Sequence, residues 1–299
     1  MSEKGHVPVL LDEVLEYLDS GREGTYLDAT IGLAGHAVEI LKRNPRAFLI
    51  GLDVDEQALN EAKKKLVPYA NRARLYHADF RLLPELELNF PAVRGLLLDL
   101  GLSSFQLNSP ERGFSFNQDG PLDMRMDLRN KTTAFKIIDQ YPEPKLARLL
   151  LRYGELRQAR RLAREIVGRR KTKKFETTGE LRRLVEEVCH WIPQKGKIHP
   201  AAKVFQALRI EVNQELQGLA EFLEKMAGLS PPGCRFVVIS FHSLEDRIVK
   251  RTFARLASAG EERPVLLRLL TKKPVTPTAE EVAANSRSRS AKLRAAERV

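Results

Sequence analysis

The sequence predicts an α/β protein: a doubly wound, mostly parallel sheet interrupted by a basic helical insertion. Short apolar runs at Thr25–Thr30, Phe48–Asp53, Arg74–Asp79 and Val93–Leu100 alternate with amphipathic segments. That alternation implies right-handed crossovers and a parallel sheet covered on both faces. The rhythm stops after the fourth run and resumes near Leu216. Charge divides nearby: residues 1–147 hold 18 Lys+Arg and 22 Asp+Glu, whereas the remainder holds 32 and 17.

In chain order, Val9, Leu10, Val14, Leu15 and Leu18 recur at helical spacing behind Pro8, and Gly21–Gly24 ends that helix. The strand Thr25–Thr30 follows, then the small-residue turn Ile31-Gly-Leu-Ala-Gly-His and a helix over Ala37–Lys42. Phe48–Asp53 is the second strand, Glu56–Val67 an amphipathic helix, Arg74–Asp79 the third strand and Val93–Leu100 the fourth. Residues 96–127 leave that strand and run on with neither helical nor alternating periodicity, punctuated by glycine, proline, serine and asparagine. Phe105, Leu107, Phe114, Phe116, Leu122, Met124 and Met126 make this stretch too apolar for a disordered linker. It is expected to be an ordered loop at a strand's carboxyl end, where open α/β sheets place their ligands. Helices without strands are expected from Ala134 to Ile192, with another beginning at His199. Leu216–Met226 is then a helix, Arg235–Phe241 a strongly apolar strand, and Leu244–Leu256 a helix. Val265–Thr271 and Ala291–Val299 are expected to close the sheet as an antiparallel pair.

The chain's 299 residues suffice for a substantial core. No apolar run reaches the roughly 18 residues of a membrane span, and the first residues lack a signal-peptide apolar region. Cys189 and Cys234 lack Cys-x-x-Cys spacing, so neither a disulfide framework nor a zinc site is indicated. A cytoplasmic protein without a membrane partner is expected. Arg148–Arg183 carries 13 basic and 4 acidic residues. Such a block can be the solvated face of basic helices; here it points to a polyanion, a phosphate backbone first.

Asp28-Ala-Thr-Ile-Gly-Leu-Ala-Gly-His leads from a strand through small residues into a helix, and Asp53 ends the next strand 21 residues beyond Gly32. This is the logic of nucleoside sites: small residues admit the ligand to the backbone, and the later acid accepts ribose hydroxyls. A tight turn with a strand-end acid is the plainer alternative, and Gly-x-x-Gly is not the NAD spacing. Asp79-Phe80 could hydrogen-bond and stack on an adenine, or be a turn residue and a core aromatic. Asp99 ends the strand expected beside the first, where it could bind a ligand's charged portion or accept an amine proton. His242 follows the fifth strand at the same edge; as a plain polar residue it would precede a helix capped by Ser243. Together with Phe241 it could instead flank a base. His6, His77, His190 and His199 show no metal spacing with one another, so no metal site is expected. Trp191 suits a core position more readily than a base-stacking platform.

These stretches carry a family resemblance. His6-Val-Pro-Val-Leu-Leu-Asp-Glu, the run from Asp28 to His36, Leu97-Leu-Asp-Leu-Gly-Leu-Ser-Ser, Glu111-Arg-Gly-Phe-Ser-Phe, Asp119-Gly-Pro-Leu-Asp-Met-Arg-Met-Asp, His199-Pro-Ala, Phe205-Gln-Ala-Leu-Arg-Ile and Ser240-Phe-His-Ser-Leu-Glu-Asp-Arg are similar to the bacterial family that methylates N4 of a P-site cytosine in 16S ribosomal RNA. The resemblance covers essentially the whole chain and implies a Rossmann-like class I methyltransferase sheet with an inserted helical domain. It implies a cofactor-binding domain over 1–106 and 210–299, and a basic substrate-recognition insertion over 107–209. The implied cofactor is S-adenosyl-L-methionine, touching Ala34, Gly35, His36, Asp53, Phe80, Asp99 and Gln106. Asp99 and His242 are the catalytic candidates. The implied partner is small-subunit ribosomal RNA within the 30S subunit, and a homodimer is left open. Two departures stand out: Ala34 replaces the first of two glycines, and Leu-Arg-Gln-Ala-Arg after Tyr153-Gly-Glu replaces a more acidic tract. If position 34 needs a positive φ, alanine costs about 1 kcal/mol there. The rival readings are a ribosome-assembly factor that binds cofactor without transfer, and a DNA or protein methyltransferase.

Overall fold

The structure is a computed structural model that describes residues 8–194, 196–260 and 264–299, with the side chain of Ser104 excepted. His6 and Val7 of the opening motif lie outside the described residues. The chain forms two compact units, one from residues 1–101 and 216–299, the other from 102–215. These limits lie a few residues outside the expected 107–209, because Leu102 already packs with the helical core and Glu215 pairs with Arg209.

The first unit begins with α1 (Leu11–Tyr17), β1 (Gly24–Asp28), α2 (Gly35–Arg43), β2 (Ala47–Asp53), α3 (Glu56–Leu66), β3 (Ala73–His77) and β4 (Val93–Asp99). The helical unit holds α4 (Ser104–Asn108), α5 (Ala134–Gln140), α6 (Glu143–Gly154), α7 (Ala159–Arg169), α8 (Thr178–Val188) and α9 (Pro200–Asn213). The first unit then resumes with α10 (Leu219–Leu229), β5 (Arg235–Ser240), α11 (Ser243–Leu256), β6 (Leu267–Leu269), α12 (Ala279–Ala284) and β7 (Lys292–Arg298). Among the described residues no helix is long and apolar enough to cross a membrane.

The sheet order is β3-β2-β1-β4-β5-β7-β6. The first five strands run parallel, while β7 is antiparallel to β5 and to β6. Burial on both faces explains the unbroken apolar runs: Leu96, Leu97 and Leu98 are each at most 1% exposed. One face packs on α1, α2 and α3 through Val14, Leu18, Ile40, Leu41, Leu59 and Ala62. The other packs on α10 and α11 through Phe222, Leu223, Met226, Val249 and Phe253. Gly51 in β2 permits a close approach, since a Cβ there would stand 2.3 Å from Ile31 Cδ1. Ile31 therefore lies directly over the second strand.

The opening helix is shorter than its apolar spacing predicts. Leu10 takes a left-handed φ of 52° and precedes the first turn, while its N–H donates to Glu281 Oε1 at 2.9 Å. Burial of the Leu10 side chain, 0% exposed, offsets a strain of about 1–2 kcal/mol. The loop after β4 also differs from expectation. It holds the short α4, whose Ser103 hydroxyl and Gln106 side chain form a reciprocal cap, and a single tight turn at Pro110–Arg112. Phe114, Leu122 and Met124 sit in the core of the helical unit with Ile137, Leu162, Leu184 and Leu208. Asp119 Oδ1 accepts from Gly179 N–H at 2.8 Å, at the start of α8. The stretch lacks periodicity because its apolar side chains fit pockets of that core instead of one face of a regular element.

Candidate active site

Parallel strands deliver their last residues to one edge of the sheet, and here three of them end in acids: Asp28 on β1, Asp53 on β2 and Asp99 on β4. Asp53 fastens the turns. Its Oδ2 accepts from Gly32 N–H at 2.8 Å and its Oδ1 from Asp55 N–H at 2.9 Å. Beyond β1, Ile31 N–H donates to Leu52 O at 2.8 Å, and Thr30 Oγ1 accepts from Asp99 N–H at 2.7 Å. The turn from Thr30 to Gly35 is thereby tied to both neighbouring strands.

Two residues of that turn are left-handed. Gly32 has φ 50°, which costs glycine nothing, and Ala34 has φ 60°, ψ 28°. Position 34 therefore has the backbone that favours glycine, and the alanine bears the strain directly. At Gly35 a Cβ would meet Pro8 Cγ at 2.6 Å, so a larger residue would push the opening segment away.

The electrostatics are those of an acid-rich edge. Burial pushes Asp28 up to about 7, opposed by the Thr30 N–H and assisted by Asp53. Burial likewise raises Asp53 to about 6 against its hydrogen bonds from Asp55 and Gly32. Asp99 reaches about 8, first through burial and then through the charges of Asp28 and Glu245. Its Oδ1 is buried without a hydrogen-bond partner among the described residues, and its Oδ2 lies 3.6 Å from His36 Nδ1. His36 is 5% exposed, with Nε2 2.9 Å from Val9 O. An acid-rich edge of this kind is stabilised by a cation and repels a bare phosphate.

Phe80 follows β3 at the same edge, half-buried, its ring edge-on to Phe222 at 4.9 Å. Asp79 is engaged: both of its oxygens accept from the Arg81 guanidinium, Oδ1 at 2.7 Å, and Oδ1 also takes Arg81 N–H at 2.9 Å. Both members of the expected Asp79-Phe80 pair are half-buried, and Asp79 already accepts from Arg81 with both oxygens. His242 rather than Ser243 caps α11. Its Nδ1 accepts from Glu245 N–H at 3.3 Å, and Glu245 Oε2 accepts from Phe241 N–H at 2.8 Å. Its Nε2 stands 3.2 Å from Glu245 Oε1 without hydrogen-bond geometry. The imidazole can cap because a ring nitrogen lone pair does the work of a side-chain oxygen.

Ala34, Gly35, His36, Asp53, Phe80, Asp99 and His242 thus all belong to the sheet unit, and the strand ends gather the acids. Gln106 belongs to the helical unit, 4% exposed, where its side chain accepts from Ser103 N–H at 3.0 Å. Asp28 and Glu245 enter the site without being singled out by their motifs. Asp28 had a signal, an acid closing an apolar strand as Asp53 and Asp99 do. Glu245 stands three residues after His242, a capping-box spacing hidden by an unusual cap residue.

The helical unit carries its charge outward. In α7, Ala159, Leu162, Ala163 and Ile166 are buried, and Arg160, Arg161 and Arg164 are exposed. Arg164 and Arg169 are paired with Glu143 and Glu187, and Arg170 donates to Ile138 O. Arg148, Arg152, Arg157 and Arg160 are exposed and form no ion pair among the described residues. His199 stacks on Phe116, with centroids 5.1 Å apart, and Trp191 meets the His199 ring edge-on at 4.9 Å. Trp191 is half-buried there as part of an aromatic cluster.

The profile of the MraW methylase family matches residues 3–299. A protein of Carboxydothermus hydrogenoformans named ribosomal RNA small subunit methyltransferase H is 47% identical over 316 residues, covering 99% of each chain. Its namesake in Persephonella marina is 45% identical over 296 residues, covering 98% of this chain and 99% of its own. Among solved structures, an rRNA methylase from Streptococcus thermophilus superposes with a TM-score of 0.43 at 10% identity, covering 99% of both chains.

Ala34→Gly weighs relief of about 1–2 kcal/mol of left-handed strain against loss of a buried methyl worth about 0.8 kcal/mol. The expected outcome is a stability gain below about 1 kcal/mol by equilibrium denaturation. A loss would show that the methyl group's packing outweighs the strain.

Proposed function

The chain belongs to the MraW methylase family, and on that premise we propose that it methylates N4 of a cytosine in the P-site region of small-subunit ribosomal RNA. The single observation that carries the local chemistry is Asp99, a strand-end carboxyl with one buried oxygen that has no hydrogen-bond partner among the described residues. S-adenosylmethionine, the donor, supplies an activated methyl group. The residues present fit it. Ala34 and Gly35 let its nucleoside reach the backbone, the Asp53 carboxylate has lone pairs left for ribose hydroxyls, and Phe80 offers a ring face to the adenine. The acid-rich edge suits its cationic portion. Gln106 is assigned to the same cofactor by motif position.

Cytosine N4 is conjugated with its ring and is a poor nucleophile. The protein must therefore hold the amine in line with the methyl group and remove its proton. Asp99 Oδ1 is the assigned acceptor. His242 serves this edge as the cap that fixes Phe241 and the start of α11. A paired, stacked base cannot enter such a cleft, so the acceptor is unpaired or extruded, in the context of the 30S subunit. The helical unit, residues 102–215, is the assigned RNA-binding part, through the exposed arginines of α6 and α7.

Mass analysis of 16S ribosomal RNA from cells with and without the protein tests the reading: one cytosine should lose a methyl group, carried on N4. Binding of cofactor without single-turnover transfer to undermethylated subunits would instead identify an assembly factor. Asp53→Ala is expected to weaken cofactor binding by about tenfold or more, two hydrogen bonds at about 1 kcal/mol each; unchanged affinity by calorimetry would remove Asp53 from the ribose. Reversing Arg148, Arg157 and Arg160 should weaken RNA binding and flatten its salt dependence by about 0.7–0.9 for each phosphate no longer neutralised. An unaltered slope would take this face out of the interface.

A further inference from the structure

We propose that His36 is a positioning residue for methyl transfer: with Nε2 fixed on the Val9 carbonyl, its Nδ1 edge faces the Asp99 carboxyl and shares the proton that the acceptor amine releases. The proposal rests on the reading of Asp99 as proton acceptor and adds the group that governs it.

The tautomer follows from the partner. A carbonyl oxygen only accepts, so the 2.9 Å contact to Val9 O requires the hydrogen on Nε2. In the neutral ring Nδ1 is then the lone-pair atom, and it faces Asp99 Oδ2 at 3.6 Å. That distance exceeds a hydrogen bond and is short for an electrostatic contact, so a small closing movement converts one into the other. The Asp99 backbone N–H donates to Thr30 Oγ1 on the β1 side, which anchors the residue, and His36 of α2 stands beside the carboxyl's Oδ2. Oδ1 is left as the oxygen with hydrogen-bonding capacity to give.

The charged surroundings make the histidine matter. The groups facing Asp99 are Asp28 from β1, Glu245 from α11 and His36 from α2, with Asp53 acting on Asp28 from β2. Three of the four are acids, which oppose ionisation of Asp99. His36 is the member of the set that can become cationic and oppose them. Val9 is held in turn, because the next residue, Leu10, donates its N–H to Glu281 Oε1.

The step balances as follows. The acceptor nitrogen forms its bond to the methyl carbon while the carbon–sulfur bond breaks and its electron pair stays on sulfur. Asp99 takes the surplus N4 proton on Oδ1. The carboxyl, now carrying the proton, can share it with the Nδ1 lone pair through the Oδ2 side, and the proton leaves to solvent from the Asp99 side chain, 27% exposed against 6% for His36. Nothing is oxidised or reduced.

The test has one arm that needs neither RNA nor cofactor. In the wild-type protein, the His36 ring nitrogens and the Asp99 carboxyl carbon are followed by NMR across a pH titration. A coupled pair shows the same two-step curve at both groups, with the hydrogen on Nε2 at high pH. Independent single-step curves, or the hydrogen on Nδ1, overturn the proposal whatever the protein methylates. The second arm is His36→Gln, whose amide can still donate to Val9 O. It is expected to slow single-turnover transfer by about tenfold or more, well beyond any loss of cofactor affinity, and to displace the pH profile. A rate loss matched by affinity loss at an unchanged pH profile would make His36 a cofactor contact only and overturn it. Failure of the wild-type protein to methylate RNA at all would refute the proposed function instead, and the titration would still decide the pair.

Discussion

The fastening on which the site depends is the Asp53 carboxylate. One oxygen holds the turn that leaves β1, through Gly32, and the other holds the turn that leaves β2, through Asp55. A buried carboxylate is costly unless its lone pairs are used. The backbone N–H groups use part of that capacity, and they pull its pKa down against the burial that raises it to about 6. The strain at Ala34 persists because this hold, the Leu52 carbonyl and the Thr30 hydroxyl over-determine the turn around it.

Much of this was legible in the sequence, for identifiable reasons. Strands buried on both faces need uninterrupted apolar runs, and the polar residue that ends each run marks the carboxyl edge of the sheet; Asp53 and Asp99 are visible in this way. The closing antiparallel pair is visible because Leu267–Leu269 and Lys292–Arg298 sit in apolar stretches after the last long helix. Other features are tertiary and leave no local trace. His36 meets a carbonyl 27 residues earlier, which no spacing rule contains. His242 looks like a residue free to face a base, yet the Glu245 N–H and carboxylate make it a cap. The left-handed backbone at 34 was legible only as a comparison with glycine, since alanine announces no positive φ. The loop after β4 hid a helix of five residues because so short an element has no room to repeat a pattern.

The two units divide the electrostatic labour. The sheet edge gathers Asp28, Asp53 and Asp99, whose mutual repulsion and burial are eased by a positive ligand. The helical unit buries its apolar stripes and turns arginines to solvent, where several have no acidic neighbour among the described residues to quench them. The sheet edge thus has the charge that suits a cationic small molecule, and the helical unit the charge that suits an anionic polymer. Each field would weaken the other's ligand if the two sets of residues were mixed.

The discontinuity of the sheet unit has a consequence for the order in which the protein is made. β4 pairs with β1 on one side and with β5 on the other, and β5 lies beyond the whole helical unit. On the ribosome, the first four strands therefore emerge with the far edge of β4 unpaired, and an open edge is a template for wrong pairing. The helical unit is one continuous segment and can complete itself in that interval. The sheet closes only when Arg235–Ser240 arrives, and Glu281 joins Leu10 later still. The hydrogen bond that holds Leu10, the residue after Val9, is thus among the last contacts the growing chain can make.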